Sequence, residues 1–358
     1  MSKSGAKGAG IAAATLAAGR EHGGRLIGPN TNGSFNLHNR MNLVGVQDVE
    51  PGAIGICSQS GNIMLGLVTE ARRRGGVGFS SYVGVGNQLD VNLAEYLRYF
   101  GDDDNTRVPL FYVEGFRDGR AFLDTCREVT QKKPVVIFKS GRTEAGQVAA
   151  SSHTGALASG FALTRGLLKQ AGATVVEQSD KMLSIAEGLS KMPVPAGGRV
   201  AILADGGGHA TIAADALDSM GLSIPQFDPQ TREGLRALLP PSASINNPVD
   251  VAGGTDSHPE LFADCAEVLL ADPHVDALLI VGLFGGYALR FSESLAGREQ
   301  ACAERLAGLP RKYAKPLMLQ SLYQPAKTGP LVHLRKADIP VFESVDEATH
   351  CITAVVNY

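Results

Sequence analysis

PGAIGICSQSG, residues 51–61, is the stretch that decides the fold. Its apolar core, AIGIC, has the composition of a buried strand, and it runs through SQSG at residues 58–61 into an amphipathic pattern over residues 62–74. Near-continuous apolar strands that alternate with helices are typical of a parallel sheet covered on both faces. The stretch therefore predicts a strand, a glycine turn and a helix, which is the repeating unit of a doubly wound α/β fold.

The same alternation continues on both sides of this stretch. In the first half, the predicted strands are residues 53–58, 77–83, 108–113, 134–138 and 173–176, and the predicted helices include residues 89–100 and 117–130. The Pro- and Gly-rich segment MPVPAGG at 192–198 then breaks the pattern. A second series follows, with predicted strands at residues 200–204, 277–283, 315–320 and 339–342 and predicted helices at residues 212–220 and 294–307. We predict two doubly wound α/β domains with parallel sheets, residues 47–194 and 195–358.

Residues 1–46 form a different kind of segment. They offer one helix, one short predicted strand at Arg25 to Ile27 and the loop GPNTNGSFN at residues 28–36. This is too little to build an independent hydrophobic core. We predict that the segment is the C-terminal remnant of a third α/β domain.

Composition excludes several classes of function. The chain has 33 basic and 36 acidic residues and a formal net charge of −3, so no overall charge attracts nucleic acid or an anionic membrane. Its five cysteines form no CxxC pair, which favours neither a zinc site nor a disulfide framework, and we expect no metal centre. No apolar run approaches the roughly 20 residues of a membrane span. These features predict a cytoplasmic protein with no nucleic-acid or membrane partner.

Two glycine turns stand at predicted helix starts. Ser60-Gly61 follows the first strand, and Gly207-Gly208 follows the strand of the second series. Unpaired backbone N–H groups and the positive end of the helix dipole suit such turns to phosphate binding. Alternatively, these glycines only satisfy the geometry of an α/β turn.

A histidine lies in a loop of small and polar residues. The segment KPVVIFKSGRTEAGQVAASSHTGALASG, residues 133–160, contains a buried strand and then His153 between Ser152 and Thr154. An imidazole among small residues is a suitable nucleophile, and its unperturbed pKa of about 6.5 leaves it neutral enough to attack phosphorus. A lone loop histidine is also commonly just a surface residue, so the residues alone leave both interpretations open.

Several ordered motifs resemble one enzyme family, the NDP-forming (ADP-forming) acyl-CoA synthetases, and more distantly succinyl-CoA synthetases. The resemblance is carried by KSGRTEAGQVAASSHTGALASG (139–160), GPNTNGSFN (28–36), PGAIGICSQSG (51–61), GVGFSSYVGVGNQLDVNLAEYLRYFGDD (76–103), YVEGFRDGRAF (112–122), GGRVAILADGGGHATIAADALDSMGL (197–222) and INNPVDV (245–251). With these motifs in order, the match extends over essentially the whole chain. By this resemblance, the two doubly wound domains are flavodoxin-like, and residues 1–46 are what remains of a Rossmann-like CoA-binding domain.

The resemblance implies a three-step ligase reaction through an acyl phosphate and a phosphohistidine. His153 is then the phosphoryl carrier, and Glu114 of YVEG holds its imidazole through a hydrogen bond. The implied phosphate-binding residues are Ser60, Gly61, Ser152, Thr154, Gly155, Gly207 and Gly208, and the implied CoA and acyl vicinity is Pro29, Asn30, Gly86 and Asn87. CoA, phosphate and ATP or ADP with Mg²⁺ are expected as substrates, with no tightly bound cofactor.

The resemblance is incomplete. Most of the CoA-binding domain and the ATP-grasp domains of the family are missing from this sequence, so either an ATP-grasp partner is needed, as we expect, or the chain is a fragment or a repurposed relative. Apolar surface left by the two packed domains predicts an oligomer. His209 follows Gly208 where the family has proline. One alternative is a non-catalytic module that responds to acyl-CoA or nucleotide, and another is a ligase for a less usual acid.

Some of these residues also have a simpler, structural explanation. Glu114 is alternatively a solvent-exposed acid at a strand end. Lys139 and Arg142 could steer phosphate, but a basic pair at a strand end is more commonly solvated, and we expect that here. Asn247 and Asp250 are expected to cap a turn.

Overall fold

The computed structural model describes residues 5–148 and 160–358. The chain forms two compact units, one made of Met1–Arg73 and Val77–Ala186 and the other of Arg74–Gly76 and Glu187–Tyr358. Within the described residues, no helix combines the length and apolar character needed to cross a bilayer.

The first unit is built on a sheet that has seven strands within its described residues. The strands are β1 Ser34–Asn36, β2 Met41–Asn42, β3 Pro51–Ser58, β4 Phe79–Gly84, β5 Val108–Val113, β6 Val136–Lys139 and β7 Thr174–Val176. Their order is β2-β1-β4-β3-β5-β6-β7. Strands β3 to β7 pair in parallel, whereas β1 pairs antiparallel with both β2 and β4.

Helices connect the strands of this sheet. They are α1 Gly5–Glu21, α2 Gly61–Arg74, α3 Leu93–Asp102, α4 Gly119–Thr130, α5 Phe161–Gln170 and α6 Met182–Lys191, the last of which continues into the second unit. Asn92 starts α3 with a capping box, because its side chain accepts from the backbone N–H of Glu95 while the Glu95 side chain accepts from that of Asn92. Phe100 of α3 and Phe122 of α4 pack edge-on against Phe111 of β5, which fixes these helices on one face of the sheet.

The second unit has a five-stranded, all-parallel sheet in its described residues. The strands are β8 Val200–Ala204, β9 Val249–Asp250, β10 Ala277–Gly282, β11 Leu317–Ser321 and β12 Val341–Phe342, in the order β12-β11-β10-β8-β9. The helices are α7 Gly207–Ser219, α8 Pro229–Leu238, α9 Leu261–Ala271, α10 Tyr287–Arg290, α11 Ala296–Tyr313, α12 Gly329–Lys336 and α13 Val345–Val356. Strands β8, β10 and β11 are buried at every position, as expected for a sheet covered on both faces.

Two polar side chains tie this unit together. Asn247 is buried, accepts a hydrogen bond from the backbone N–H of Ile202 at 3.0 Å, and donates to the carbonyl of Val200 at 2.9 Å. It therefore braces β8 rather than capping a turn, which corrects the interpretation from sequence. Asp250 does cap a turn, because it accepts from the backbone N–H of Ala252 at 2.9 Å.

The fold class is as predicted, a flavodoxin-like α/β arrangement with parallel sheets, but details near the N-terminus differ. The predicted strand at Arg25–Ile27 is wrong, because these residues pair in no sheet; the backbone N–H of Leu26 instead bonds the carboxylate of Asp90 at 2.9 Å. Strand β1, which attaches the loop of residues 28–36 to the sheet of the first unit through β4, is not among the predicted strands. The origin of residues 1–46 as a domain remnant stays a prediction.

Candidate functional site

A cleft of about 750 Å³ lies in the first unit, at the carboxyl ends of strands β3, β4, β5 and β6. This edge of a parallel sheet is where α/β proteins bind ligands. The cleft is lined by Asn30, Thr31, Asn32, Gln59, Ser60, Gly61, Asn62, Gly86, Asn87, Tyr112, Glu114, Ser140, Gly141 and Gly146. Of the site residues predicted from sequence, the structure thus brings six to one place: Asn30, Ser60, Gly61, Gly86, Asn87 and Glu114.

The turn after β3 presents a helix start to this cleft. Helix α2 begins at Gly61, and Ser60, Gly61 and Asn62 all line the cleft. The buried hydroxyl of Ser58 donates to the carbonyl of Ser60 at 2.7 Å and accepts from its backbone N–H at 3.1 Å, which fixes the turn. The first backbone N–H groups of a helix have no intrahelical acceptor, so this end of α2 suits an anion.

Gln59 links this turn to the end of β5. Its Oε1 accepts from the backbone N–H of Glu114 at 2.6 Å and of Gly115 at 3.0 Å. Its own backbone N–H donates to the carbonyl of Tyr112 at 3.2 Å. These bonds fix the backbone that carries the half-buried Glu114 side chain at the cleft. Sequence reasoning missed Gln59, although the SQSG motif contains it.

The opposite wall is the loop of residues 28–36, held by backbone bonds. The N–H of Asn87 donates to the carbonyl of Pro29 at 2.9 Å, and that of Leu89 donates to Gly28 at 2.8 Å. The side-chain amide of Asn30 donates to Oδ1 of Asn87 at 3.4 Å. The predicted CoA and acyl vicinity, Pro29 and Asn30 of this loop and Gly86 and Asn87 after β4, is therefore one group of neighbouring residues. Pro29 takes part through its carbonyl, which accepts the bond from Asn87.

Two further residues of this loop reach the cleft floor, and sequence reasoning missed both. Thr31 donates to the carbonyl of Gly84, and Asn32 accepts at Oδ1 from the hydroxyl of Tyr82 at 2.5 Å. Burial raises the pKa of Tyr82, so its hydroxyl stays a neutral donor. A Cβ at Gly84 would lie 2.5 Å from Asn32 Oδ1, so only glycine lets the loop approach β4 this closely.

The basic residues near the predicted histidine loop are engaged in structure. Lys139 is buried, and its Nζ donates to the carbonyls of Glu114 at 2.8 Å and Ser140 at 2.6 Å; burial lowers its pKa. Arg142 donates to the carbonyl of Glu177 and lies 5.8 Å from the centre of the Phe161 ring. The expectation that Lys139 is solvated is wrong. Among the described residues, Glu114 is the one charged side chain lining the cleft.

The second glycine turn lies in the second unit. Helix α7 begins at Gly207, and Gly207 and Gly208 are exposed. The preceding Asp205 accepts from the backbone N–H of Leu283 at 2.8 Å and from the hydroxyl of Tyr287 at 2.5 Å, and burial raises its pKa. Asp205 thus braces the neighbouring loop, while phosphate binding at the two glycines stays a prediction.

His153, Ser152, Thr154 and Gly155 lie outside the described residues, and their roles stay predictions.

One group of metal-ligand side chains lies close together in the described part of the chain. Asp228, Asp272 and His274 bring their ligand atoms within 4.8 Å of one another. The carboxylate of Asp272 accepts from the backbone N–H groups of His274 at 2.7 Å and Asp228 at 3.2 Å, so these contacts already account for the cluster as a loop brace.

Comparisons with known proteins agree with this architecture. Residues 51–189 match the model of the succinyl-CoA ligase like flavodoxin domain, and residues 200–288 match the ligase-CoA domain. The chain is 33% identical over 338 residues to the alpha subunit of an ADP-forming acetate–CoA ligase II from Pyrococcus furiosus, covering 94% of this chain and 72% of that subunit. It is 34% identical over 303 residues to ADP-forming acetate–CoA ligase I from Archaeoglobus fulgidus, covering 84% of this chain and 44% of that protein.

A solved structure has the same fold. The dinucleotide-forming acetyl-coenzyme A synthetase 1 of Ca. Korarchaeum cryptofilum, in complex with phosphate and ADP, superposes with a TM-score of 0.85 at 26% identity, over 97% of this chain and 74% of that one. The chain spans between a third and three quarters of the length of the relatives it matches. With this identity and coverage, the chain belongs to the family of ADP-forming acetate–CoA ligases, which are acid–thiol ligases.

Proposed function

We propose that this chain is the part of an ADP-forming acyl-CoA synthetase that carries the phosphoryl group, with His153 as the carrier. The observation that supports this most is the composition of the cleft, where the start of α2, Glu114 and the Asn30–Asn87 pair meet. Gly146 also lines the cleft, seven residues before His153. Seven residues can span up to roughly 23 Å, so the histidine is within reach.

The proposed chemistry has three steps. Phosphate attacks the thioester carbonyl of an acyl-CoA, the C–S bond breaks, and CoA leaves as the thiol with an acyl phosphate as the second product. A ring nitrogen of His153 then attacks the phosphorus, the P–O bond to the acyl group breaks, and the free carboxylate leaves. In the third step the phosphoryl group passes from the histidine to ADP and forms ATP. The reverse direction makes acyl-CoA from acid, CoA and ATP.

Each wall of the cleft has a role in this proposal. The N–H groups at the start of α2 stabilise the negative oxygens of the phosphoryl group. Glu114 accepts a hydrogen bond from the imidazole and so orients it and favours its cationic, phosphorylated state. In this proposal, the side-chain amides of Asn30 and Asn87 contact the acyl end of the thioester.

The nucleotide and its Mg²⁺ would be bound by an ATP-grasp subunit. The Pyrococcus furiosus relative is named as an alpha subunit, which supports a partner chain. Gly207 and Gly208, at the start of α7, are the proposed second resting place for the phosphoryl group.

A labelling experiment tests this function. The full chain, a His153→Ala variant and a His22→Ala control at an exposed position are each incubated with radiolabelled ATP, Mg²⁺ and an ATP-grasp subunit from a relative, and separately with labelled acetyl phosphate. We expect label that is stable to alkali and labile to acid in the native chain and the control, and its absence in His153→Ala.

The opposite result has a clear meaning. If a folded native chain takes no label from either donor, while the relative's own alpha subunit does, the chain does not carry phosphoryl groups. A non-catalytic module that binds acyl-CoA or nucleotide would then be the better explanation.

A further inference from the structure

We infer that Gln59 is a substrate-contacting residue, whose side-chain Nε2 donates hydrogen bonds to the phosphoryl group in the cleft. This inference rests on the proposed function and adds to it a donor that lies beside the helix start. It concerns inorganic phosphate in the first step and the acyl phosphate in the second.

The orientation of the Gln59 side-chain amide is fixed by two backbone N–H groups that directly follow strand β5. Two N–H groups, those of Glu114 and Gly115, point at one side-chain atom at 2.6 and 3.0 Å. Only the oxygen of an amide can accept both, so the nitrogen must occupy the other position. In the described part of the chain, no acceptor takes a hydrogen bond from this Nε2, although Gln59 lines the cleft. Its two N–H groups are therefore available to a ligand.

The charges around the cleft make such a donor necessary. Within the described residues, the lining contains no lysine or arginine, and its one charged side chain is the acid Glu114. The nearby Lys139 directs its ammonium group to two backbone carbonyls. An anion that enters this cleft loses water and needs compensating hydrogen bonds. Among the described residues, neutral donors such as the Gln59 amide and the N–H groups at the start of α2 are the groups in a position to supply them.

A single-atom change separates this donor role from the structural role of Gln59. In Gln59→Glu the carboxylate still accepts from Glu114 and Gly115, but it presents a negative oxygen to the cleft in place of two donors. Gln131→Glu makes the same change at an exposed position after α4 and serves as the matched control. Gln59→Met, which removes donor and acceptor without adding charge, is the second variant.

The experiment measures binding of inorganic phosphate and of CoA to the full chain by calorimetry, at pH 6 and pH 8. A hydrogen bond to a charged group is worth a factor of about ten or more. We expect Gln59→Glu to bind phosphate at least about tenfold more weakly than Gln131→Glu, with a larger loss at pH 8, where phosphate is doubly charged. Gln59→Met should lose less, and CoA affinity should stay within about twofold in each variant.

The outcomes are separable. Equal phosphate affinity in Gln59→Glu and the control overturns the inference, and so does a parallel loss of phosphate and CoA affinity, since that indicates a structural role only. The same preparations are tested for label on His153. If the native chain is labelled but Gln59→Glu binds phosphate normally, the role of Gln59 is refuted and the proposed function stands. If phosphate binding depends on Gln59 but the native chain takes no label, the role of Gln59 stands and the proposed function is refuted.

Discussion

Replacing Gly86 by alanine should disrupt the wall of the cleft formed by the 28–36 loop. Gly86 has φ +53°, and a Cβ at this position would lie 2.1 Å from the carbonyl oxygen of Pro29 and 2.7 Å from that of Asn30. Both neighbours are backbone atoms, so the clash cannot be relieved by turning a side chain. The loop must move, and the bond from the Asn87 N–H to the Pro29 carbonyl is expected to break.

The size of the effect follows from two contributions. An alanine in the left-handed region costs roughly 1–2 kcal/mol, and overpacking against backbone adds about 1–3 kcal/mol. Gly45 separates these contributions, because it has φ +79° but no atom within 4 Å of its Cβ. Gly45→Ala should therefore lower the free energy of unfolding by only the first amount, and Gly86→Ala by about 2–5 kcal/mol.

Urea denaturation followed by circular dichroism, with limited proteolysis to identify which unit opens first, measures the difference. Calorimetry with phosphate and CoA shows whether the cleft survives in the folded variant. If Gly86→Ala is as stable as Gly45→Ala and binds both ligands like the native chain, the close approach of the loop to Gly86 is not what shapes the cleft.

Three further predictions concern the second unit. Glu187 is fully buried and forms ion pairs with Lys191 and Arg335. Glu187→Gln leaves these cations without their carboxylate, so it should lower the free energy of unfolding by about 3–5 kcal/mol, measured by urea denaturation. Burial acts to raise the pKa of Glu187, but the neighbouring cations outweigh burial and hold this pKa below its ordinary value. The stabilisation by the Glu187 carboxylate should therefore be complete above about pH 4.5 and be lost as the pH falls through the lower, folded-state pKa. Urea unfolding curves of the native chain and of Glu187→Gln over a pH series check this. Gly282→Ala should destabilise by about 3 kcal/mol or more, because its Cβ would lie 1.9 Å from Asp205 Oδ1 at φ +129°, whereas Gly206→Ala, with no atom within 4 Å, should change the melting temperature little.

The sequence predicted the sheets well because their strands are long apolar runs. Val108–Val113 and Val200–Ala204 begin and end where the pattern places them. Helix α11 was predicted to end at residue 307 but continues to Tyr313 with Pro310 inside it, because Leu309 beyond the predicted end is still buried in the core. Strand β1 was missed because SFN is short and polar, and its pairing with β4 is a tertiary contact that no local pattern encodes.

The site was predictable where backbone geometry determines it. Ser60-Gly61 follows from a strand that feeds a helix, whereas Glu114 was assigned only through the resemblance of the YVEG motif, because its place after β5 is also compatible with a solvent-exposed acid. Gln59 and Asn32 were missed because an amide gains its role only from partners distant in sequence, here Glu114 and Tyr82. Periodicity and glycine spacing carry no information about those partners.

The antiparallel pairing of β1 with β4 has a consequence for how this chain can be engineered. Because the 28–36 loop is hydrogen-bonded into the sheet of the first unit, its shape is inherited from that sheet and not from the residues that precede it. We therefore expect that the sequence upstream of residue 24 can be exchanged for that of a relative while the cleft is kept, at the cost of the 3.5 Å ion pair between Arg20 and Asp90. For protein engineering, a suitable splice point therefore lies before Arg25, because the guanidinium of Arg25 bonds Asp90 and Glu95, which both follow it in the chain.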